Sequence, residues 1–469
     1  MNTMKTYFLI LIIFYSTYLK SQKEDRIWYF GGTLSNTTTP GAGLDFNSGS
    51  PIPLSNSAMG LTEGSATQCD KNGNLLFYSN GMTIWDKTHN IMFNGNGLGG
   101  HYSAEQSVIF IPFPCDTNKY YLFGQDGKPT CPGTGLYYSI IDMSLNGGLG
   151  GITSTKAVHL LSGTNEWLTG TKHTNGTDFW VVTAKFDSTI FYSFQVSSIG
   201  ISPPVISNVG LDSTLAYFKL VFNNKGDQLT FKASTLGAST FFHRRYLANF
   251  DKNLGSINTL IQLDVEGLND GACFSPNDSL LYAASQSTVL NSPLLYQYKV
   301  KQPNIFTNKT IIKQFSNYPH ADMKLGPDNK IYVSSPSYDS LDVINNPNII
   351  GIGCNYQTNA LYLNGKKVRF ILPSPTFSHI NCSILNTNQY ELFNGIKLFP
   401  NPTNGELNLI SNNGITKYIV YNLQNEIVLE SESELIFNIT INLELSKGIY
   451  IIKFIDNNNY AFVKRFVVN

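Results

Sequence analysis

The stretch CDKNGNLLFYSNG, residues 69–81, sets a polar turn rich in Asn, Asp and Gly directly before a run of Leu, Phe and Tyr. Asn, Asp and Gly tolerate positive φ, and aromatic and branched side chains pack well on a pleated surface. The phrase therefore predicts two strands joined by a tight, two-residue hairpin turn. It recurs as CDTNKYYLFGQDG (115–127), HTNGTDFWVVTAK (173–185), FNNKGDQLTFKAS (222–234), FSPNDSLLYAASQ (274–286) and LGPDNKIYVSSPS (325–337). Further strands follow several copies, as in LYYSIIDM (136–143), IFYSFQV (190–196), LLYQYKV (294–300) and SLDVINNP (340–347).

Centred on Gly73, Lys119, Gly176, Gly226, Asp278 and Asn329, the turns are 46, 57, 50, 52 and 51 residues apart. A period near fifty, about four short strands per unit and almost no helical pattern predict an all-β protein built on a β-propeller. Residues 27–380 hold room for about seven units of that length, so seven blades are expected, with six and eight as alternatives. The unassigned strands RIWYFGG (26–32) and KVRFILPS (367–374) would pair in one composite blade and close the ring, removing its free edges.

Composition narrows the function. The chain has 469 residues, with Lys+Arg and Asp+Glu at 32 each, 14% charged and 13% aromatic residues. This balance provides no net field to draw nucleic acid or an anionic membrane. The first residues, MNTMKTYFLILIIFYSTYLKSQ, place Lys5 before an apolar run over 7–18 and offer Ser21-Gln22 as a cut site. That is a secretory signal, residues 1–22, and no later stretch is long and apolar enough for a membrane helix. The expected mature protein is exported and soluble. Six cysteines would then meet an oxidising compartment, and Cys115 with Cys131 and Cys354 with Cys382 are the local pairings. No Cys-x-x-Cys or zinc-spaced His/Cys cluster occurs, so neither a metal nor another cofactor is expected.

The phrases IWYFGG (27–32), GLDF (43–46), EGSATQCDKNGNLLFYSNGMTIWD (63–86), KLGPDNKIYV (324–333) and LDVINNPNIIGIGCNY (341–356) resemble a propeller at the front of large Bacteroidetes surface proteins. The resemblance implies a gliding- or adhesion-associated setting. The chain departs from it at YFKLVFNNKGDQL (217–229), where the usual Ser-Pro-Asp-Gly turn is missing.

LFPNPTNGELNLI (398–410) opens a second unit, because alternation follows it in KYIVYNLQNEIVLE (417–430), ELIFNITINLELSKGIYIIKFIDNN (434–458) and YAFVKRFVVN (460–469). Six or seven half-buried strands in a small Ig-like β-sandwich are expected. Domain boundaries are set at 23–390 for the propeller and 391–469 for the sandwich. The latter resembles the type A C-terminal sorting domain of the type IX secretion system. The matching residues are Phe399, Pro400, Asn401, Pro402 and Thr403, then Tyr421-Asn422-Leu423, Leu445, Gly448-Ile449-Tyr450 and the closing VKRFVVN with Lys464. Asn425 stands where the family usually has glycine, and asparagine tolerates that backbone. The resemblance implies partners in the secretion machinery and its sortase, with passage across the outer membrane.

Propeller ligands usually meet loops that lead into the innermost strands. Acidic and titratable residues recur there: Glu63, Glu105, Glu166, Asp270, His320 and Asp322, with Tyr217 and Lys219 in the comparable place. Such a ring can contact a ligand at the channel mouth, supply a general acid and base, or staple neighbouring blades together. GGLGG (147–151) opens no helix, and DKNGN and GPDNK lack the acidic spacing of a calcium loop. No catalytic residue is assigned. The leading expectation is a non-catalytic binding or adhesion module for a glycan or surface protein. A polysaccharide lyase or glycoside hydrolase, and a structural component of a surface assembly, are the alternatives.

Overall fold

In a computed structural model, the chain divides into two compact units, Met1–Ile380 and Asn381–Asn469. The structure describes residues 23–469 except 32–40, 61–62, 128–134, 212–213, 216–218, 235–242, 267–270, 288–291, 303–304, 306–308, 316–321, 337, 381–395, 423–425 and 458–460. The expected signal over 1–22 lies outside the described residues.

All six repeat phrases are antiparallel hairpins. Ala66–Cys69 pairs with Leu75–Ser79, Val108–Pro112 with Lys119–Gln125, and Thr169–Lys172 with Phe179–Ala184. Val221–Phe222 pairs with Gln228–Ser234, Ala272–Phe274 with Leu280–Ser287, and Asp322–Leu325 with Ile331–Ser334. The turns are longer than the two residues expected. Cys69 pairs with Leu75, and the loop between them is organised by Asp70, whose carboxylate accepts the Asn72 and Asn74 N–H groups. An aspartate that satisfies loop donors stabilises a wider turn, while Gly73 supplies the positive φ of 93°.

Each hairpin is extended by further antiparallel strands, and the described residues form seven blades. Ile27–Phe30, Ala42–Asp45 and Ile52–Leu54 form the first. The second and third share a nine-stranded sheet because Phe93 and Gly151 form a parallel bridge between their outer strands. The remaining four have five, five, four and four strands. First strands of successive blades approach one another and are buried along their length, as Ala66–Cys69 and Val108–Pro112 are. Outer strands such as Ile91–Asn96 and Tyr356–Tyr362 are mostly exposed. The core is therefore a set of blade-to-blade layers. Trp167, Trp180 and Phe191 pack on Phe231 and Tyr246 of the next blade, and Trp28 and Phe46 pack on Tyr332 of the last.

Ring closure differs from the expected strand pairing. Residues 367–376 run beside Ile27–Phe30 but form no regular ladder. Arg369 N–H donates to Gly31 O at 3.2 Å, and Thr376 Oγ1 donates to Asp25 Oδ1 at 2.8 Å. Pro373 and Pro375 have no N–H to donate, which prevents a continuous ladder. The segment is held instead by its other flank and by burial. Ser374 N–H donates to Ser65 O, and Lys324 Nζ donates to Ser374 O, so it bridges the second and seventh blades. Val368 and Leu372 are fully buried.

Beyond Thr376 the chain crosses toward the third and fourth blades. The Phe377 ring lies 5.7 Å from Phe179, and the His379 ring lies 4.5 Å from Tyr120. Burial holds the His379 pKa down at about 4, below the ordinary 6.5, although the nearby Asp116 charge acts in the opposite direction. The unfolded chain then binds more protons than the native one between pH 6.5 and 4. Stability is full above pH 6.5 and is lost as pH falls through that window, by on the order of 3 kcal/mol. Urea titrations at pH 7 and pH 4 are expected to show that extra loss in the native chain and not in His379→Gln. Equal losses would rule out His379 as its source.

Cys69, Cys273 and Cys354 are buried free thiols. The expected Cys354–Cys382 bond is thus not made: Cys354 packs between the sixth and seventh blades and shares a hydrogen bond with the Tyr282 hydroxyl. Cys131 and Cys382 lie outside the described residues.

Among the described residues the second unit is a small β-sandwich of five strands, where six or seven were expected: Ile396–Phe399, Glu406–Tyr421, Ile427–Asn442, Gly448–Asp456 and Ala461–Val468. The expected strand breaks are absorbed as register shifts in two 16-residue strands, including one between Ile410 and Ile415. Both halves then face one core of Leu407, Leu409, Val420, Ile452, Phe454 and Phe466. The Phe399–Pro400 and Asn401–Pro402 peptides are cis.

Candidate functional site

The structure gives each described candidate residue a partner within the propeller unit. Lys219 Nζ donates to Asp322 Oδ2 at 2.5 Å and to Leu372 O at 3.3 Å, and Leu372 N–H donates to the same Asp322 oxygen at 2.7 Å. Lys219 and Asp322 are 8% and 4% exposed, so the pair is desolvated. Glu63 pairs with Arg369 Nη2 at 3.0 Å, joining the start of the second blade to the closing segment. The Glu166 carboxylate accepts the Glu105 N–H at 3.2 Å, and its main-chain carbonyl accepts the Gln106 N–H. Tyr217, Asp270 and His320 lie outside the described residues.

Three glutamines complete these contacts, and their sequence positions did not single them out. Gln106 donates through Nε2 to Leu220 O at 3.1 Å and accepts the Leu220 N–H at 2.9 Å, linking the third blade to the fifth. Gln125 bonds Thr164 and Gly135 O, and Gln68 Nε2 donates to Phe377 O at 3.4 Å. Their shared trait is a glutamine at or beside a fully buried hairpin strand, where a long amide can replace a missing backbone partner. Lys324 adds a further link, pairing with Asp25 at 3.2 Å while lying 4.9 Å over the Trp28 ring. The Asp322 carboxylate is balanced by Lys219 and accepts the Leu372 N–H, and the Glu63 carboxylate is paired with Arg369.

A separate open cleft of about 390 Å³ lies where the hairpin turns of the fifth and sixth blades meet. It is lined by Asn223, Lys225, Asp227, Gln228, Asn249, Asp278 and Lys301. Buried Asp278 builds its floor by accepting the Asn224 and Lys225 N–H groups and the Asn224 side-chain amide. Asn249 and Lys301 are exposed at the rim. Amides, lysines and carboxylates on an open surface suit a polar ligand rich in hydroxyl groups. Among the described residues, no three His, Cys, Asp or Glu side chains gather closely enough to hold a metal.

In the second unit several of the sorting residues named from the sequence lie on or against the last strand and its neighbour. Asn401 Nδ2 donates to Arg465 O, and Asn401 Oδ1 accepts the Val467 N–H, both at 3.0 Å. Thr403 N–H donates to Val467 O, while Asn469 N–H donates to Thr403 O. Gly448 pairs with Val468, and the Tyr450 hydroxyl donates to Ser446 O while its ring stacks on Phe466 at 5.7 Å. Pro400 and Pro402 are exposed, and Lys464 is half-buried on the last strand.

Residues 397–469 match the family described as the secretion system C-terminal sorting domain, and this part of the chain is such a domain. The protein is thereby delivered through the type IX secretion system to the cell surface or extracellular space. Among the described residues no helix is long and apolar enough to cross a membrane. No curated protein matches the chain. Among solved structures, a putative 6-phosphogluconolactonase from Bacteroides uniformis aligns at 12% identity and TM-score 0.44, over 68% of this chain and 92% of that one. Hsv2 from Kluyveromyces lactis aligns at 11% identity and TM-score 0.38, over 67% and 91%. A periplasmic gluconolactonase from Pseudomonas aeruginosa aligns at 11% identity and TM-score 0.34, over 77% and 94%.

Proposed function

We propose that the propeller is a non-catalytic binding module that captures a glycan or a hydroxyl-rich surface ligand outside the cell. An N-terminal signal over 1–22 brings it to the periplasm, where Cys115 bonds Cys131. A sortase then acts on the C-terminal domain after passage through the outer membrane. The observation that carries the reading is the engagement of the described mouth residues in staples between blades, above all the Lys219–Asp322 pair. A general acid or base must reach the substrate and exchange its proton. These carboxylates are directed at Lys219, Arg369 and main-chain N–H groups. The cleft between the fifth and sixth blades presents amides and lysines to solvent, which is the inventory a polar ligand needs.

The test is a glycan-array and soluble-polysaccharide screen on the mature chain, with product analysis of every bound polymer. Binding without new products is expected. A combined Asn249→Ala and Lys301→Ala variant should weaken it about tenfold, the worth of one good hydrogen bond. New chain ends in the polymer, abolished in Glu166→Ala, would establish an enzyme instead. Absence of any bound glycan would favour a structural part of a surface assembly.

A further inference from the structure

We infer that the outer strands of the sixth and seventh blades form a docking surface for an anionic lipid bilayer, with a loop of exposed isoleucines as its anchor. The chain as a whole is neutral, but its charge is unevenly spread. Residues 292–315, which include the strands Ser292–Lys299 and Lys309–Gln314 of the sixth blade, contain four lysines and no Asp or Glu. Residues 343–365, in the outer hairpin of the seventh blade, contain no charged residue. Asp342, just before them, is 7% exposed and accepts the Tyr356 hydroxyl and the Asn359 N–H. The two segments touch. The turn Gly351–Cys354 packs against Lys309–Gln314, and Gln297 Nε2 donates to Ile349 O at 2.8 Å while its Oε1 accepts the Gly351 N–H at 2.9 Å.

The loop presents Ile349, Ile350 and Ile352 at 50%, 52% and 100% exposure, and Ile311 on the adjoining strand is 51% exposed. Single exposed aliphatics are ordinary, but a cluster of them marks an interaction surface. The loop backbone is held in place, so these side chains stay in water. The Tyr282 hydroxyl donates to Pro347 O at 3.0 Å, the Asn346 N–H donates to Cys354 O at 2.9 Å, and the Asn277 N–H donates to Asn348 Oδ1 at 3.2 Å. Lys301 is exposed, while Lys299, Lys309 and Lys313 are half-buried, with Lys309 Nζ 4.4 Å over the Tyr296 ring. Lysine stems lie along apolar surface and carry the ammonium group outward. Aliphatic side chains on a fixed loop, flanked by lysines and free of carboxylates, match an interfacial anchor. The isoleucines enter the acyl boundary, and the ammonium groups meet lipid phosphates. Residues 345–355 contain neither the aromatics nor the arginine that dominate protein-binding hot spots, which favours lipid over a protein partner.

The experiment sediments the mature chain with vesicles of phosphatidylcholine, alone or with about one-third phosphatidylglycerol. Binding to the mixed vesicles is expected to be about tenfold tighter than to phosphatidylcholine alone. It should weaken about tenfold as salt rises from about 0.1 M to about 0.5 M, because the lysine contribution is screened. Ile350→Asp combined with Ile352→Asp should cut it by at least about tenfold, while the variant melts as the native chain because both side chains lie in water. Ile206→Asp, at an isoleucine 62% exposed on Val205–Asn208 of the fourth blade, should leave binding within about twofold. A native chain that does not sediment with the mixed vesicles would overturn the inference, as would binding unchanged in the double variant. A concentration-dependent dimer abolished by that double variant, without vesicle binding, would overturn it too and assign the patch to contact between copies.

Discussion

Asp322→Ala is expected to destabilise the propeller by about 3–5 kcal/mol, the penalty for breaking a buried ion pair from one side. The substitution removes the acceptor shared by Lys219 Nζ and the Leu372 N–H, and strands an ammonium group in a position 8% exposed. Lys219 keeps a contact to Leu372 O at 3.3 Å, but a carbonyl cannot neutralise its charge. Replacing both partners, as in Lys219→Met with Asp322→Leu, should recover most of the loss because no unpaired charge is left behind. Urea titration of the three variants and the native chain measures both effects. A loss below about 1 kcal/mol in Asp322→Ala would mean the pair is worth no more than a surface salt bridge, and that the mouth is wet.

Ending the chain at Lys366 should abolish cooperative unfolding of the propeller, whereas ending it at Ile380 should preserve it. The shorter chain loses fully buried Val368 and Leu372, nearly buried Ile371 and the Arg369 partner of Glu63. Each large apolar side chain removed from a packed core costs about 2–5 kcal/mol, and a whole domain is stable by only about 5–15 kcal/mol. The ring would also open between the second and seventh blades, exposing Ser65 O and the Asp322 carboxylate to water. Calorimetry and binding of an apolar dye distinguish the two chains. Matching transitions in both would show that the first blade closes the ring without residues 367–380.

The strands and their order were legible because period-two patterning and turn chemistry are local. Gly73, Gly176, Gly226, Asp278 and Asn329 all adopt the positive φ that their residue types suggested. Turn length was misjudged where side chains rebuilt the loop, as at Asp70. The closing strand was misjudged at Pro373 and Pro375, where the apolar pattern suggested a ladder and the missing N–H groups prevented one. In the sorting domain, alternation located the strands but could not reveal that two of them bend without breaking.

Local chemistry along the chain was enough to set an all-β class, a blade repeat near fifty residues and a C-terminal sorting domain, which the family match places within residues 397–469. Partnership was not local. Glu63 finds Arg369 across 306 positions, Lys219 finds Leu372 across 153, and Asn401 finds Arg465 across 64. Whether a carboxylate faces a ligand or a lysine depends on which blades the closed ring brings together and how much water they exclude. Only the tertiary structure could pair Asp322 with Lys219 and Glu63 with Arg369, and join the two ends of the sorting domain at one corner.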